Sequence, residues 1–172
     1  MVKSAKEIAL SGITVALLIG GQMALSAVSG VEIVTAIFAV YCFVFGVLNG
    51  VIVATAFSLI RCFVFGFFPQ VILLYLIYYN LFAVALGVLG RVIKDKNGFI
   101  KIFLLTAVSV VFTILFTVID NLLNVVLFSL SLSAAKIYFA QSIPVVIRQV
   151  ICVIVTVPLF FYPLVKVFEI AK

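Results

Sequence analysis

Five ionisable side chains lie within apolar segments of this sequence: Glu32, Arg61, Asp120, Lys136 and Arg148. A charge in hydrocarbon costs several kcal/mol, so such residues usually face the interior of a helix bundle or a wet cavity. The guanidinium group of arginine suits bidentate binding of carboxylate or phosphate. The set predicts a binding site for a small zwitterionic or weakly anionic solute, with Arg61 as its strongest candidate.

Neutral polar and aromatic residues at nearby depths extend the candidate site: Gln70, Tyr75, Asn80, Asn124 and Gln141. The ring of Tyr75, with those of Tyr41, Tyr78, Tyr79 and Tyr138, is suited to form a stacking wall for a ligand. Structural alternatives stand beside these roles. Asp120 and Arg148 can neutralise each other across two helices, the asparagines can join helices by hydrogen bonds, and Glu32 and Lys136 can reach the membrane surface.

The composition defines the class of protein that must position these residues. Hydrophobic residues make up 67% of the 172 positions and charged residues only 9%, and the mean hydropathy is +1.52. A soluble domain carries a far larger charged fraction. The sequence therefore predicts an all-α, multi-pass membrane protein that forms a single domain over residues 1–172.

Six segments have the length and apolarity of a membrane-spanning helix, which needs about 20 residues. Breaks at glycine, proline, asparagine and serine separate them. The predicted spans are Ile8 to Val28, Val31 to Leu48, Val51 to Phe68, Val71 to Gly90, Ile100 to Phe128 and Phe139 to Val165.

The net charge is +6, and most of the basic residues form three groups at the ends of the spans. The groups are Lys3 and Lys6, then Arg91, Lys94, Lys96 and Lys101, and finally Lys166 and Lys172. Six spans put all three on one side of the membrane, and the positive-inside rule makes that side cytoplasmic, together with both termini. Such short flanking groups indicate topology and contact with anionic lipid, and they argue against binding of nucleic acid.

The predicted spans place nearly all buried polar residues in the outer half of the bilayer, and leave the inner half aliphatic and aromatic. A channel or carrier is expected to line a polar route on both sides of the midplane. The asymmetry therefore favours a cup that opens outward and captures a small solute.

Small residues recur at every fourth position of the first span, at Gly12, Ala16, Gly20 and Ala24. This small-xxx-small pattern lets two helices approach closely, either within one bundle or between subunits. The pattern predicts a packing face, whose partner is either another helix of this chain or a second membrane protein.

The sequence lacks the usual residues of enzyme catalysis. There is no histidine, the three cysteines are isolated from one another, and no phosphate-binding GxxxxGK[ST] loop is present. General-base catalysis and zinc binding commonly rely on histidine or paired cysteines. We therefore expect no enzyme activity, no metal and no cofactor, and any energy from ATP must come from a partner.

The chain resembles the substrate-binding S component of an energy-coupling factor (ECF) transporter, in its length, six spans, ridge of small residues and outer polar cup. Three local stretches are similar to bacterial members of that family: residues 21–26 (GQMALS), residues 31–35 (VEIVT) and residues 133–144, with SAAK and then SIP. The usual Ala-x-x-x-Ala of the first helix is replaced here by Gly12, Ala16 and Gly20.

This resemblance implies a mechanism in which the chain captures a water-soluble vitamin or precursor at the outer face of a bacterial cell membrane. It would then dock through Gly12, Ala16 and Gly20 onto a membrane coupling subunit that two ATPases drive. The family's pocket implies site roles for the first outer loop and the third to sixth helices: Glu32, Arg61, Gln70, Asp120, Asn124, Gln141 and Arg148.

Three other functions are compatible with the residues. A stand-alone secondary transporter of a zwitterionic or anionic solute needs a polar route that continues inward. An intramembrane enzyme would turn over a lipid substrate. A purely structural membrane protein would bind no solute.

Overall fold

The computed structural model describes residues 5–28 and 33–171, and its regular structure in those ranges consists of five α-helices. They are α1 (Ala5–Leu25), α2 (Val34–Phe65), α3 (Pro69–Val92), α4 (Gly98–Leu127) and α5 (Leu132–Ala171). Each is long and apolar enough to cross a membrane. The protein is thus all-α, with the character of a multi-pass membrane protein.

Helix α2 folds back on itself at Gly46, whose φ of 77° and ψ of −175° are not helical. The rings of Phe38 and Phe57 both contact Tyr79, with centroid distances of 5.3 and 5.0 Å. A straight helix would separate residues 38 and 57 by about 28 Å. The two arms of α2, residues 34–45 and 47–65, therefore lie side by side.

The prediction of six separate helices differs from the five that the structure has, because the second and third predicted spans are the two arms of α2. The predicted break at Asn49 and Gly50 is wrong, since both residues are helical. An Asn-Gly pair is a common turn signal. Only a glycine tolerates the backbone of residue 46, however, and this conformation turns the chain in a single residue.

Both terminal helices reach the same end of the bundle. The Tyr41 hydroxyl lies 3.1 Å from Ser11 Oγ on α1, and its ring packs edge-on against Phe168 of α5. We call this the basic end, because the loop with Lys94 and Lys96 follows α3 there. The opposite end holds the C-terminal end of α1, the α2–α3 connection and the α4–α5 connection.

Aromatic rings and close backbone contacts hold α3 against the two arms of α2. Tyr78, Tyr79 and Phe82 of α3 are buried among other rings. A Cβ atom at Gly87 would lie 2.5 Å from Val47 N, and one at Gly90 would lie 2.7 Å from Phe43 O. Only glycine permits this approach, which stabilises the turn of α2 against the last part of α3.

The first arm of α2 is about 18 Å long, which is shorter than the hydrocarbon thickness of a bilayer. It occupies the part of the bundle nearer the basic end, because Phe38 lies level with Tyr79 and Phe43 with Gly90. A cavity lies in the space between its first residues and the opposite end of the bundle.

Candidate functional site

A cavity of about 310 Å³ opens at the end of the bundle opposite the basic end. We call it the outer cavity. Its rim includes the last residues of α1 and α2, and its deeper wall is aromatic. The lining residues are Gln22, Leu25, Ser26, Val28, Val34, Thr35, Arg61, Phe65, Tyr75, Tyr78, Tyr79, Thr113, Phe116 and Gln149.

Arg61 is held in this cavity by three side chains from three segments. Its Nε donates a hydrogen bond of 3.1 Å to Gln22 Oε1. Its Cζ lies 4.1 Å from the centroid of the Tyr75 ring and 4.8 Å from that of Phe65. Gln22 Nε2 in turn donates a bond of 2.7 Å to the Tyr75 hydroxyl. The guanidinium group is therefore fixed in place before a ligand arrives.

This arrangement favours an anionic group. Arg61 forms no ion pair with a carboxylate of the described residues, so its charge is not neutralised by them. The N-terminus of α2 also meets the cavity at Val34 and Thr35, and its cap residue Ile33 provides no polar side chain. The positive end of a helix dipole favours anions. Arginine and this helix end together suit a carboxylate or phosphate.

The wall of the outer cavity is suited to a flat or apolar ligand body. Tyr75, Tyr78 and Phe116 line it and pack against one another, mostly edge to face. Such interlocked rings form a rigid surface, and the exposed edges and faces of aromatic groups bind other rings well.

A second cavity, of about 250 Å³, lies between α4 and α5. We call it the α4–α5 cavity. It shares Phe116 and Gln149 with the outer cavity. Its other lining residues are Thr117, Asp120, Asn121, Tyr138, Gln141, Ser142 and Val145. The two cavities are therefore neighbours along the same side of α4.

The predicted site residues divide between these cavities. Arg61 and Tyr75 line the outer cavity, whereas Asp120 and Gln141 line the α4–α5 cavity. Asn124 lies one turn beyond Asp120 and donates a hydrogen bond of 3.1 Å to its Oδ1.

Other predicted residues lie elsewhere. Asn80 joins α3 to the second arm of α2. Its Oδ1 accepts a hydrogen bond from Thr55, and its Nδ2 donates to Leu76 O within α3. Gln70 lies in the first turn of α3, outside both cavities. Arg148 is exposed and forms no ion pair with Asp120 in the described structure. Lys136 is also exposed. Glu32 lies outside the described residues.

Gln22, Asn121 and Gln149 line the cavities but were absent from the predicted set. Gln22 and Gln149 are amides within apolar stretches of their helices, which is itself a signal for a buried polar contact. Their roles depend on which residues of other helices they meet, and a single sequence does not specify those pairs.

Buried hydroxyl groups continue beyond the cavities toward the basic end. Three hydroxyl oxygens there are buried and have no hydrogen-bond partner among the described residues: those of Thr106, Ser109 and Thr156. The antiparallel bond between Asn121 and Ser142 puts Thr156 about level with residue 107. Along α4 and α5, the part of the bundle nearer the basic end therefore contains buried hydroxyl groups among its apolar side chains.

The ridge of small residues on α1 faces away from the rest of the chain. Gly12, Ala16 and Gly20 are exposed, and a Cβ atom at either glycine would meet nothing within 4 Å. The opposite face of α1 packs inward through Ser11, Thr14, Val15 and Leu18. The ridge is thus free to contact lipid or another protein.

Within residues 5–28 and 33–171, no group of three or more His, Cys, Asp or Glu residues is placed to hold a metal ion. Comparison with protein-family models, with curated proteins and with solved structures finds no match to this chain. The two cavities and the exposed face of α1 are the features of this chain that bear on its function.

Proposed function

We propose that this protein captures a small, water-soluble anionic or zwitterionic solute as the S component of an ECF-type importer. The observation that carries the proposal is Arg61, held by Gln22 and Tyr75 in a cavity that opens at the end opposite the basic loop. A guanidinium group fixed in this way loses little further freedom when it binds a carboxylate or phosphate.

The orientation in the membrane follows from the basic residues. The positive-inside rule assigns the end with Arg91, Lys94, Lys96 and Lys101 to the cytoplasm. The outer cavity then faces the outside of the cell. Counting each arm of α2 as one pass gives the six-pass arrangement, with both termini in the cytoplasm of a bacterial cell.

The surface of α1 supports docking onto a partner. Gly12, Ala16 and Gly20 are exposed although small residues commonly serve close helix packing. In the proposed complex, this ridge contacts the membrane coupling subunit, and two ATPases supply the energy. The solute is a vitamin or a precursor of one, and the protein has no catalytic role.

The first test is to identify what the protein binds. The full chain is purified in mild detergent, and small molecules that copurify are identified by mass spectrometry. Each candidate is then titrated against the wild type and Arg61→Ala. We expect Arg61→Ala to weaken binding of an anionic solute by tenfold or more, since hydrogen bonds to charged groups contribute about 1.5–3 kcal/mol.

Arg148→Ala is the matched control, because Arg148 is exposed and lies outside both cavities. It should bind the solute as the wild type does. Equal losses in the two variants would contradict the proposed site, and the absence of binding for a broad vitamin panel would contradict the proposed function.

A stand-alone secondary transporter is the second candidate function. It is favoured by the buried, unpartnered hydroxyls of Thr106, Ser109 and Thr156, which extend polarity toward the basic end. Proteoliposomes that contain this chain alone distinguish the two functions. Uptake without any ATPase, abolished by Ser109→Ala, would support the transporter, whereas binding without uptake supports the capture subunit.

A further inference from the structure

Among the described residues, the buried side-chain atoms of the α4–α5 cavity lining that have no hydrogen-bond partner are both oxygens. Asp120 lines it and is not ion-paired within the described residues. Asn121 and Gln149 also line it. Asn121 Oδ1 and Gln149 Oε1 are buried and have no hydrogen-bond partner among the described residues. Buried acceptors without donors are costly, and a ligand that donates hydrogen bonds would satisfy them.

The orientation of the Asn121 amide is fixed by its neighbour. The Ser142 hydroxyl donates its proton to Phe139 O at 2.8 Å, so it must accept from Asn121, whose Nδ2 lies 2.9 Å away. The amide nitrogen therefore faces Ser142, and Oδ1 is the unpartnered atom. Asn121 is only 2% exposed, so this oxygen lies in the interior of the protein.

The α4–α5 cavity contains a carboxyl group, and none of the described residues that line it is a cation. Asp120 accepts a hydrogen bond from Asn124, which supplies no positive charge. Arg148 and Lys136, the nearest cations along α5, are exposed and make no ion pair with it. The Asp120 carboxyl oxygens and Asn121 Oδ1 belong to residues that line one cavity, and such acceptors suit the donors of a primary ammonium group.

We infer that the α4–α5 cavity binds a protonated amine, and that the solute is a zwitterion whose anionic group meets Arg61 while its amine meets Asp120. Phe116 and Gln149 line both cavities, so the two cavities adjoin at these residues. The inference deepens the proposed function and depends on it for the anionic half of the ligand, but the amine half is independent of any transport partner.

Small probe molecules test the anionic part and the amine part of the proposed ligand separately. The full chain in lipid nanodiscs is titrated with butylammonium, butanoate and 1-butanol by ligand-observed NMR, each against the wild type, Asp120→Asn and Arg61→Ala. Asp120→Asn retains an oxygen that can accept from Asn124, so its fold should persist. Unfolding with a thiol-reactive dye checks this, because Cys42 and Cys62 are buried and become reactive only when the chain opens. Asp95→Asn is the control carboxylate, since it lies exposed in the loop after α3.

Butylammonium should bind the wild type and Arg61→Ala alike, and its dissociation constant should rise about tenfold in Asp120→Asn, as expected for a lost charge-assisted hydrogen bond. Asp95→Asn should not change it. Equal binding of butylammonium and 1-butanol, or butylammonium binding that is unaffected by Asp120→Asn, would overturn the inference.

The same titrations identify a failure of the proposed function separately. Butanoate binding that does not depend on Arg61 would contradict the proposed anionic site while the amine result stands. The opposite result is butanoate binding that depends on Arg61 together with butylammonium binding that Asp120→Asn does not change. It would contradict the amine site but not the proposed function.

Discussion

The Nε atom of Arg61 on α2 donates a hydrogen bond to Oε1 of Gln22 on α1, at 3.1 Å. The same amide donates through Nε2 to Tyr75 on α3. Gln22 thereby uses both ends of its side chain to join three helices. Its role in the proposed site is to position Arg61.

Replacing Gln22 by leucine should weaken binding of an anionic solute about tenfold, because Arg61 loses the acceptor that orients it. Titration of the copurifying solute, or of butanoate, measures this change. Gln70→Leu is the control, since Gln70 is a glutamine near the same end of the bundle but outside both cavities. Equal effects of the two variants would contradict the positioning role.

Replacing Gly46 by alanine should destabilise the chain by roughly 1–3 kcal/mol, because a φ of 77° with a ψ of −175° is essentially restricted to glycine. The measurement is the midpoint of thermal unfolding, followed with a thiol-reactive dye in mild detergent. Gly12→Ala is the control, since Gly12 is helical and a Cβ there would meet nothing within 4 Å. An unchanged midpoint for Gly46→Ala would contradict the turn.

Much of the fold follows from composition, and the exceptions have physical causes. Apolar length alone predicts that the chain is helical and crosses the membrane repeatedly. The site of the α2 turn was missed because Asn49 and Gly50 resemble a turn, whereas Gly46 lies between apolar residues and gives no local signal. Its positive φ is accessible because it is a glycine, and the place of the turn depends on α3, which packs against it through Gly87 and Gly90.

The candidate site was predicted only in part for a related reason. Arg61 and Asp120 could be identified from the sequence because a charged side chain in an apolar segment costs free energy at any position in the bundle. An amide costs less free energy to bury than a charge, so amides occur both as packing contacts and as site residues. Asn80 and Gln149 therefore look alike in the sequence. Only the helices opposite them decide that Asn80 meets Thr55 and that Gln149 lines both cavities.

Gly87→Ala should destabilise the protein by about 1–3 kcal/mol, which is typical of overpacking in a well-packed interior. The added methyl group would lie 2.5 Å from Val47 N and 2.7 Å from Val47 Cα, and backbone atoms do not yield easily. Thermal unfolding measures the loss. Gly20→Ala serves as the matched helical control because its Cβ meets nothing within 4 Å, and a loss as large as that of Gly87→Ala would contradict the packing argument.

Asn80→Ala should lower stability by under about 1 kcal/mol and leave solute binding unchanged. Asn80 accepts from Thr55 at 3.2 Å and donates to Leu76 O at 2.8 Å, and hydrogen bonds between membrane helices contribute about 0.6 kcal/mol on average. Unfolding and titration are measured on the same preparation, with Thr55→Val as the partner variant. A tenfold loss of affinity in Asn80→Ala alone would place Asn80 in the binding site.

Gly12→Leu and Gly20→Leu should leave the stability and solute binding of the isolated protein unchanged, because both positions are exposed and face away from the rest of the chain. If α1 docks closely onto a coupling subunit, the bulky side chains must keep the two backbones apart. Copurification with that subunit and the ATPases should then be lost, while Gly12→Ala, which stays small, should retain it. Retention of the complex by both leucine variants would exclude the ridge as the docking surface, whereas a lower unfolding midpoint would show that the ridge packs within the chain.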